Sequence, residues 1–156
     1  KMESRKLCMI EEIKTTWRCN QEIIDFADSI LPEYLDFPPT ESKQLDITGH
    51  DGIFVVSWEN LKFYLDCYTP ECYRHNVNSK ILNETKAINF GFCKGRTVPR
   101  VLIYPTGPMK KSLKDSKEKL ADKVASLFYV AVTRAMYSVA IVVEKPEEYD
   151  IIEWRP

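Results

Sequence analysis

Short apolar runs of strand length alternate along the chain with segments whose apolar residues recur at helical spacing. Runs of about four to eight apolar residues are typical of buried strands, and recurrence every three or four residues is typical of amphipathic helices. The runs predict strands at 7–13, 53–57, 85–90, 100–104 and 138–143. The helical spacing predicts helices at 20–31, at 59–67 and from the region of Asp115 to Arg134. This alternation indicates an α/β fold with a mostly parallel sheet covered by helices on both faces.

Capping residues mark the limits of two of these helices. Asn20 is a favourable N-cap for the first helix, and Pro32 ends it. Asp115 and Glu118 have the spacing of a capping box for the last helix, with Asp in place of Ser or Thr. An apolar stripe typical of a core-facing surface then runs along that helix. It consists of Leu120, Val124, Leu127 and Ala131.

Three stretches show neither the apolar runs of strands nor the spacing of helices. Residues 32–52 are rich in Pro, Asp, Glu, Thr and Gly, which predicts an irregular and exposed connection. Residues 105–119 carry a run of lysines and are interpreted as a solvated basic connection. Residues 68–84 are ambiguous and support no assignment.

Composition and charge are ordinary for one soluble globular domain. The chain has 156 residues, of which 44% are hydrophobic and 29% charged. The net charge of −1 excludes a global basic field, so any nucleic-acid contact must be a local patch. No run reaches the roughly 18 apolar residues of a membrane span. No signal-peptide pattern opens the chain, and we expect no membrane partner.

Cysteine usage favours a reducing compartment. The five cysteines are an odd number without framework spacing, which predicts free thiols in a cytoplasmic protein. Cys67, Cys72 and His75 have the loose spacing of half a zinc site, but no second pair follows. Because the chain begins at Lys1, close to a strand-like run, we expect it to be a piece of a longer protein. Residues 151–154 either pack back on this domain or contact another part of that protein.

Two arginines stand where helices and strands meet. Arg134 lies between the last helix and the last strand, and Arg18 lies between the first strand and a helix N-terminus. A guanidinium is always charged, and its planar fork matches phosphate oxygens. In open α/β sheets, ligands bind where strands pass into helices. The alternatives are that Arg134 complements the helix dipole and that Arg18 is a solvated loop residue. We predict both guanidinium groups on one edge of the sheet, facing one open surface.

A loop with two glycines and two basic residues joins the strands predicted at 85–90 and 100–104. Glycine lets backbone N–H groups approach an anion, while Lys94 and Arg96 supply charge. The alternative is a polar turn with incidental charges. The loop is not a Walker A motif, because the G-x-x-x-x-G-K-[ST] spacing is absent from the whole chain.

Two phenylalanines precede and enter this loop. Phe90 and Phe92 are two residues apart in the approach of a strand, so we expect them on the same face. Either both are core residues, the commoner fate of phenylalanine, or at least one stays exposed as a stacking platform for nucleic-acid bases.

Three stretches resemble, in order and spacing, motifs of superfamily 1 DNA helicases. Residues 16–27 contain T-W-R-C-N and then I-I-x-F-A, which resembles motif IV, N-Y-R-S … I … F-A. Residues 89–103 contain N-F-G-F-C-K-G-R-T-x-x-R-V-L-I, which resembles motif V, T-x-H-x-x-K-G-L-E-x-x-x-V. Residues 127–135 contain L-x-Y-V-A-V-T-R-A, which is similar to motif VI, L-x-Y-V-A-x-T-R-A, and is the most specific match. The set resembles the C-terminal (second) RecA-like domain of the UvrD/Rep family.

The resemblance implies a RecA-like three-layer sandwich over residues 1–156 that closes on an ATP held by a first domain. It implies that Arg18 and Arg134 act as catalytic arginine fingers at the γ-phosphate, with Tyr129 and Thr133 supporting Arg134. The ATP-binding set that it implies is Arg18, Arg134, Gly95, Thr97 and Thr133. The set implied for single-stranded DNA is Lys94, Phe90, Phe92 and Arg96.

The same resemblance implies cofactors and partners for a longer protein. ATP and Mg²⁺ would act in the complete helicase, and none is expected on this chain alone. The partners would be single-stranded DNA and the N-terminal RecA-like domain of the same protein. Because neither Walker A nor Walker B is present, the chain alone is not expected to hydrolyse ATP.

Several positions depart from the family pattern. Thr97 stands where the motif has a glutamate that resembles a ribose contact, and Gly91 stands where it has a histidine. The space between motifs IV and V is too short for the family's large accessory domain. These departures leave open a catalytically inactive RecA-like module that binds DNA or a protein partner. A plain α/β interaction domain with fortuitous matches is the third interpretation.

Overall fold

A computed structural model of the chain describes residues 14–32, 38–83 and 85–156. Its helices are α1 (Gln21–Ile30), α2 (Leu61–Tyr68), α3 (Gly107–Lys114) and α4 (Asp122–Val132). Its strands are β1 (Thr15–Thr16), β2 (Glu41–Ser42), β3 (Gly52–Ser57), β4 (Glu71–Arg74), β5 (Ala87–Asn89), β6 (Val98–Tyr104) and β7 (Ala135–Val143). The strand predicted at 7–13 lies outside the described residues.

The main sheet has five parallel strands in the order β3-β7-β6-β4-β5, and β1 pairs with β2 in a separate two-stranded sheet. β7 lies between β3 and β6, and its residues Ser138–Val143 are all buried. This near-continuous apolar strand is typical of a parallel sheet covered on both faces. Two separate cores confirm the covering. Val139 and Ile141 pack in the core that includes α1 and α4, while Ala140 and Val142 pack in the core of α2. The predicted α/β fold class is therefore confirmed, and the architecture is consistent with a RecA-like domain.

The helix that precedes the main sheet forms as its capping residue predicts. The Asn20 side chain accepts a hydrogen bond from Ile23 N at 3.0 Å, and Ile23, Ile24 and Ala27 are buried. Phe26 meets Phe128 of α4 edge to face, with the ring centroids 6.2 Å apart. α1 and α4 thus cover the same face of the sheet.

Three stretches contain regular structure that the sequence pattern does not indicate. β2 lies in the stretch 32–52, predicted to be irregular and exposed, where it pairs with β1 and where Gln44 and His50 are buried. β4 lies in the ambiguous stretch 68–84 and pairs with both β5 and β6. Only two of its four residues, Cys72 and Tyr73, are buried, so the strand is too short to show a period. α3 lies in the basic stretch predicted to be a connection, and Thr106 Oγ1 caps it by accepting from Met109 N at 3.5 Å.

The capping box predicted for the last helix is wrong. α4 begins at Asp122 after Ala121, which makes no side-chain cap. Asp115 is instead the C-cap of α3, and its carboxylate accepts from Lys117 N at 2.9 Å. The stripe is nevertheless a core surface, because Leu120 and Ala131 are buried and Val124 and Leu127 pack against that core.

The C-terminal segment packs back on the domain. Val55 N donates to Ile152 O, and Trp154 N donates to Val55 O, both at 2.9 Å. The Trp154 ring is buried against Tyr64 of α2, with centroids 5.0 Å apart. The structure therefore supports the alternative in which Trp154 packs on this domain, while Ile152 stays exposed.

Candidate functional site

Arg134 follows the end of α4 and directly precedes β7. Its Nε donates to Val130 O at 2.9 Å, and its Nη2 donates to Thr133 Oγ1 at 3.2 Å. Val130 is in the last turn of α4, so the guanidinium does complement the carbonyl end of the helix dipole. Thr133 is buried and its hydroxyl donates to Tyr129 O at 3.0 Å, which fixes the acceptor that Arg134 uses.

Arg18 reaches the same residue from the other side. Its Nη1 donates to Thr133 O at 3.2 Å, and the neighbouring Cys19 thiol contacts the same oxygen at 3.4 Å. Asn20 then holds the start of α1 against β7, because its N donates to Met136 O at 3.1 Å and its Nδ2 to Tyr137 O at 2.7 Å. The two arginines suggested by the sequence are therefore brought together on Thr133.

The position of this pair differs from the expectation for Arg18. The loop that carries Arg18 does follow a strand, but β1 belongs to the small sheet with β2 and not to the main sheet. Arg18 consequently lies beside the residues that begin β7, at the amino end of that strand. Ligand sites governed by the strand order of an open sheet lie at the opposite, carboxyl edge.

The pair carries unmatched positive charge. Within the described parts of the chain, the hydrogen bonds of both guanidinium groups go to carbonyl and hydroxyl oxygens, and no ion pair joins either one to a carboxylate. Burial and the nearby Arg18 lower the pKa of Arg134. Burial also raises the pKa of the Cys19 thiol to about 11, although both arginines oppose the rise. Since that thiol stays neutral at pH 7, an anion from outside would find both charges unpaired.

The glycine loop after β5 does not continue the strand. β5 ends at Asn89, and Phe90–Phe92 form a turn of 3₁₀-helix. Phe90 is fully buried against the α1 and α4 core, whereas Phe92 is 77% exposed. The expectation that both rings share one face is therefore wrong, because the chain stops being a strand before Phe90. Because Phe90 is buried, it cannot stack on DNA bases. Phe92 is the exposed ring of the two.

Arg96 is held by an acidic partner and linked to Arg134. Its Nε donates to Glu71 Oε2 at 2.8 Å, its Nη2 also contacts that carboxylate, and the buried Tyr73 hydroxyl donates to it as well. Arg96 O in turn accepts from Arg134 Nη1 at 3.5 Å. The loop is thus tied to the arginine pair through its backbone, and the Arg96 charge is matched. Sequence reasoning gave no signal for Glu71, which lies 25 residues from Arg96 in the ambiguous stretch.

The other predicted loop residues lie at the surface. Gly91, Lys94, Gly95 and Thr97 are all exposed. Gly95 has a φ of +79°, a left-handed conformation that favours glycine. Lys94 makes no hydrogen bond or ion pair with the parts of the chain that the structure describes, so its charge is available to a partner.

Arg100, another basic residue of the stretch 89–103, is held by hydrogen bonds within the domain. Arg100 donates from Nη1 to Ser138 Oγ and from Nη2 to Thr48 Oγ1, both at 2.8 Å, and it also contacts His50 O. The His50 ring is buried and stacks on Tyr68, with ring centroids 3.8 Å apart. Burial and Arg100 lower the pKa of His50 to about 4, so the imidazole is neutral at pH 7.

Two further observations concern a zinc site and membrane-spanning helices. Cys67 is exposed on α2 while Cys72 is buried in β4, and among the described residues no group of three or more His, Cys, Asp or Glu is placed to hold a metal ion. Of the helices in the described ranges, none is long and apolar enough to cross a membrane.

Comparisons with known proteins give similarity of structure only. No family model and no curated protein matches the chain. A crystal structure of the PRRSV nsp10 helicase shares 20% identity with a TM-score of 0.45, over 83% of this chain and 23% of that one. The methylated PRRSV nsp10 helicase shares 19% identity with a TM-score of 0.47, over 88% of this chain and 26% of that one. The C-terminal domain of a possible DNA helicase from Lactobacillus plantarum shares 14% identity with a TM-score of 0.38, over 82% of this chain and 87% of that one.

This chain therefore spans about a quarter of the length of the two nsp10 chains. At these identities and TM-scores the likeness concerns the arrangement of helices and strands, and it assigns no role to any residue.

Proposed function

We propose that this chain is the second RecA-like domain of an ATP-dependent helicase and supplies arginine fingers to an ATP site shared with a first domain. The observation that carries the proposal is the convergence of Arg18 and Arg134 on Thr133 without a carboxylate partner among the described residues. A structural arginine pair is usually neutralised by acidic side chains, since unpaired buried charge is costly. Two half-buried guanidinium groups of like charge instead suit an anion that arrives from outside.

In this mechanism the chain does not cradle the nucleotide. Arg18 and Arg134 place positive charge where negative charge develops on the γ-phosphate oxygens during transfer. Thr133 and Tyr129 fix Arg134, because the Thr133 hydroxyl both accepts from Arg134 and donates to Tyr129 O. The phosphate cradle and the carboxylate that binds Mg²⁺ are assigned to the first domain, since this chain has no Walker A sequence.

We assign the single-stranded DNA contact of the loop to Lys94 and Phe92. Lys94 is an exposed cation without an internal partner in the described residues, and Phe92 is an exposed ring two residues before it. Backbone phosphates attract such cations, and bases stack on such rings with little sequence preference. Arg96 is not included, because Glu71 already matches its charge.

A second candidate function rests on the Arg134 contacts themselves. In the described structure Arg134 is satisfied by Val130 O, Thr133 Oγ1 and Arg96 O, as a purely structural helix cap would be. Together with Thr97 and Gly91, this favours a RecA-like module that binds a partner without catalysis.

The ATPase rate of the complete protein that carries this chain distinguishes the arginine-finger function from the non-catalytic module. If Arg134 is an arginine finger, Arg134→Ala lowers kcat by about 10³–10⁵-fold. Arg155→Ala is the matched control, because Arg155 is exposed and its one ion pair among the described residues is with Glu153, near the end of the sequence. A folded Arg134→Ala protein with the wild-type rate leaves the non-catalytic module as the function.

A further inference from the structure

A cavity of about 380 Å³ opens at the carboxyl edge of the main sheet, at the opposite end of β7 from the arginine pair. Its walls come from residues that follow or end three strands: Trp58 after β3, Tyr104 at the end of β6 and Glu144 after β7. Lys80 and the start of α3 complete it. In open parallel sheets this edge is where ligands bind.

The cavity carries an excess of positive charge. Lys110 Nζ lies 2.6 and 2.9 Å from the two carboxylate oxygens of Glu144, so that pair is neutral. Lys80 Nζ lies 4.6 Å from the Trp58 ring centroid and makes no ion pair with the described residues. Two ammonium groups therefore face one carboxylate. The resulting charge favours an anionic ligand.

The start of α3 adds backbone donors to this charge. α3 has eight residues, is capped by Thr106, and begins at Gly107 with its positive dipole end toward the cavity lining. The space where a Cβ on Gly107 would lie is open, so a ligand can approach the backbone closely. Helix N-termini of this kind bind phosphate groups.

One polar atom of the lining lacks a partner. The Trp58 indole Nε1 is shielded from solvent and finds no acceptor among the described residues. The Tyr104 hydroxyl does not serve this argument, because it lies beside the Thr85 side chain and the Leu82 backbone, and neither of these residues lines the cavity. Buried polar groups are normally satisfied. A ligand with an acceptor oxygen supplies the partner that the Trp58 indole lacks.

We propose that this cavity binds the phosphate group of a nucleotide. Lys80 and Lys110 are the cationic ligands, Gly107 offers its backbone N–H, and the Trp58 indole is a donor. The choice of a nucleotide over another phosphate compound rests on the proposed helicase function, whereas the anion site itself does not. The nucleotide is either free or one unit of a single strand.

The experiment follows the Trp58 indole N–H signal in ¹⁵N-labelled 156-residue chain, assigned with Trp58→Phe. Thymidine monophosphate and a short oligothymidylate are the two probes. Both are expected to shift this signal, and Lys80→Gln and Lys110→Gln are each expected to raise Kd about five- to tenfold, as for the loss of one charge-assisted contact. Lys111→Gln is the matched control, because Lys111 is an exposed lysine of α3 outside the cavity lining. Its Kd should stay at the wild-type value.

Glu144→Gln distinguishes an anion site from a cation site. Removing the carboxylate frees Lys110, so the Kd for thymidine monophosphate should fall by about two- to fivefold. A rise in that Kd, an unmoved Trp58 signal with both probes, or equal effects of Lys80→Gln and Lys111→Gln overturns the proposal. Tighter binding of the oligothymidylate than of the monophosphate identifies the strand as the source, and equal binding identifies the free nucleotide.

Failure of this inference is separable from failure of the proposed function. If the oligothymidylate binds with no response of Trp58 while Arg134→Ala abolishes the ATPase, the cavity is not a nucleotide site but the helicase role stands. If Trp58 responds and Lys80→Gln weakens binding while Arg134→Ala leaves the ATPase unchanged, the nucleotide site stands and the arginine role fails.

Discussion

Arg18→Gln tests whether the arginine pair is built for a ligand or for stability. The substitution removes a hydrogen bond from a charged donor to Thr133 O, a contact worth about 1.5–3 kcal/mol. It also relieves the repulsion by Arg18 that, after burial, lowers the pKa of Arg134. Repulsion between two nearby unit charges at an effective dielectric of about 20 is of a similar order, about 1–4 kcal/mol, and solvent around these half-exposed groups reduces it. Since the two effects oppose each other, we expect the free energy of unfolding to change by less than about 1 kcal/mol.

The second half of the same prediction concerns anions. An anion that binds the folded chain at ten times its Kd stabilises it by about 1.4 kcal/mol. Pyrophosphate should therefore raise the free energy of unfolding of the wild-type chain, relative to NaCl of equal ionic strength, and should raise that of Arg18→Gln much less. Urea denaturation followed by circular dichroism measures both quantities. Lys80→Gln serves as the control for pyrophosphate bound in the carboxyl-edge cavity.

Two outcomes would refute this reasoning. A loss of more than about 3 kcal/mol in Arg18→Gln would mean that Arg18 is needed for folding and that its charge is matched in a way the contacts do not reveal. An unchanged response to pyrophosphate would mean that the pair does not bind phosphate oxygens.

Two further predictions concern Phe92 in the loop after β5 and the buried His50. Phe92→Ala in the complete protein should weaken single-stranded DNA binding by about 1–3 kcal/mol, with little dependence on base sequence and no loss of stability, because the ring is exposed; fluorescence titration measures this, and unchanged affinity would confine the loop to the nucleotide site. Because the pKa of His50 falls from 6.5 in the unfolded chain to about 4 in the folded one, the unfolded chain binds more protons between these values. The stability that neutral His50 contributes is complete above pH 6.5 and is lost as the pH falls toward 4, so His50→Gln should flatten the pH dependence of the free energy of unfolding in that window; an unaltered pH dependence in the variant contradicts the assignment.

The long buried elements were predictable because burial on both faces leaves a strong pattern. β7 is a run of apolar residues that needs no alternation, and α4 shows its core stripe clearly. The capping by Asn20 was predictable because the motif is local, with its donor three residues away. The convergence of Arg18 with Arg134 was predicted from their positions where strands and helices meet, and the motif resemblance implied a shared role for them.

The remaining features depend on partners that are distant in sequence. β4 is a strand because β5 and β6 flank it, and its four residues carry no period of their own. Arg96 is neutralised by Glu71, which no local pattern connects to it. Phe90 and Phe92 diverge because the backbone turns into a 3₁₀-helix, where side-chain alternation no longer applies. The local sequence around α3 showed its lysines more strongly than its Thr106 cap.

β7 connects the two proposed sites mechanically. Arg134 precedes its first residue and Glu144 follows its last, so the arginine pair and the carboxyl-edge cavity lie about 30 Å apart along one strand of nine residues. The strand is buried and hydrogen-bonded on both sides to β3 and β6, which leaves it little freedom to deform. A ligand at one end is therefore not expected to act on the other end by deforming β7. If both proposed sites bind, we expect them to be coupled through rigid movement of this domain against the proposed first domain, and Asn20, which fixes α1 to the start of β7, keeps Arg18 in place beside Arg134.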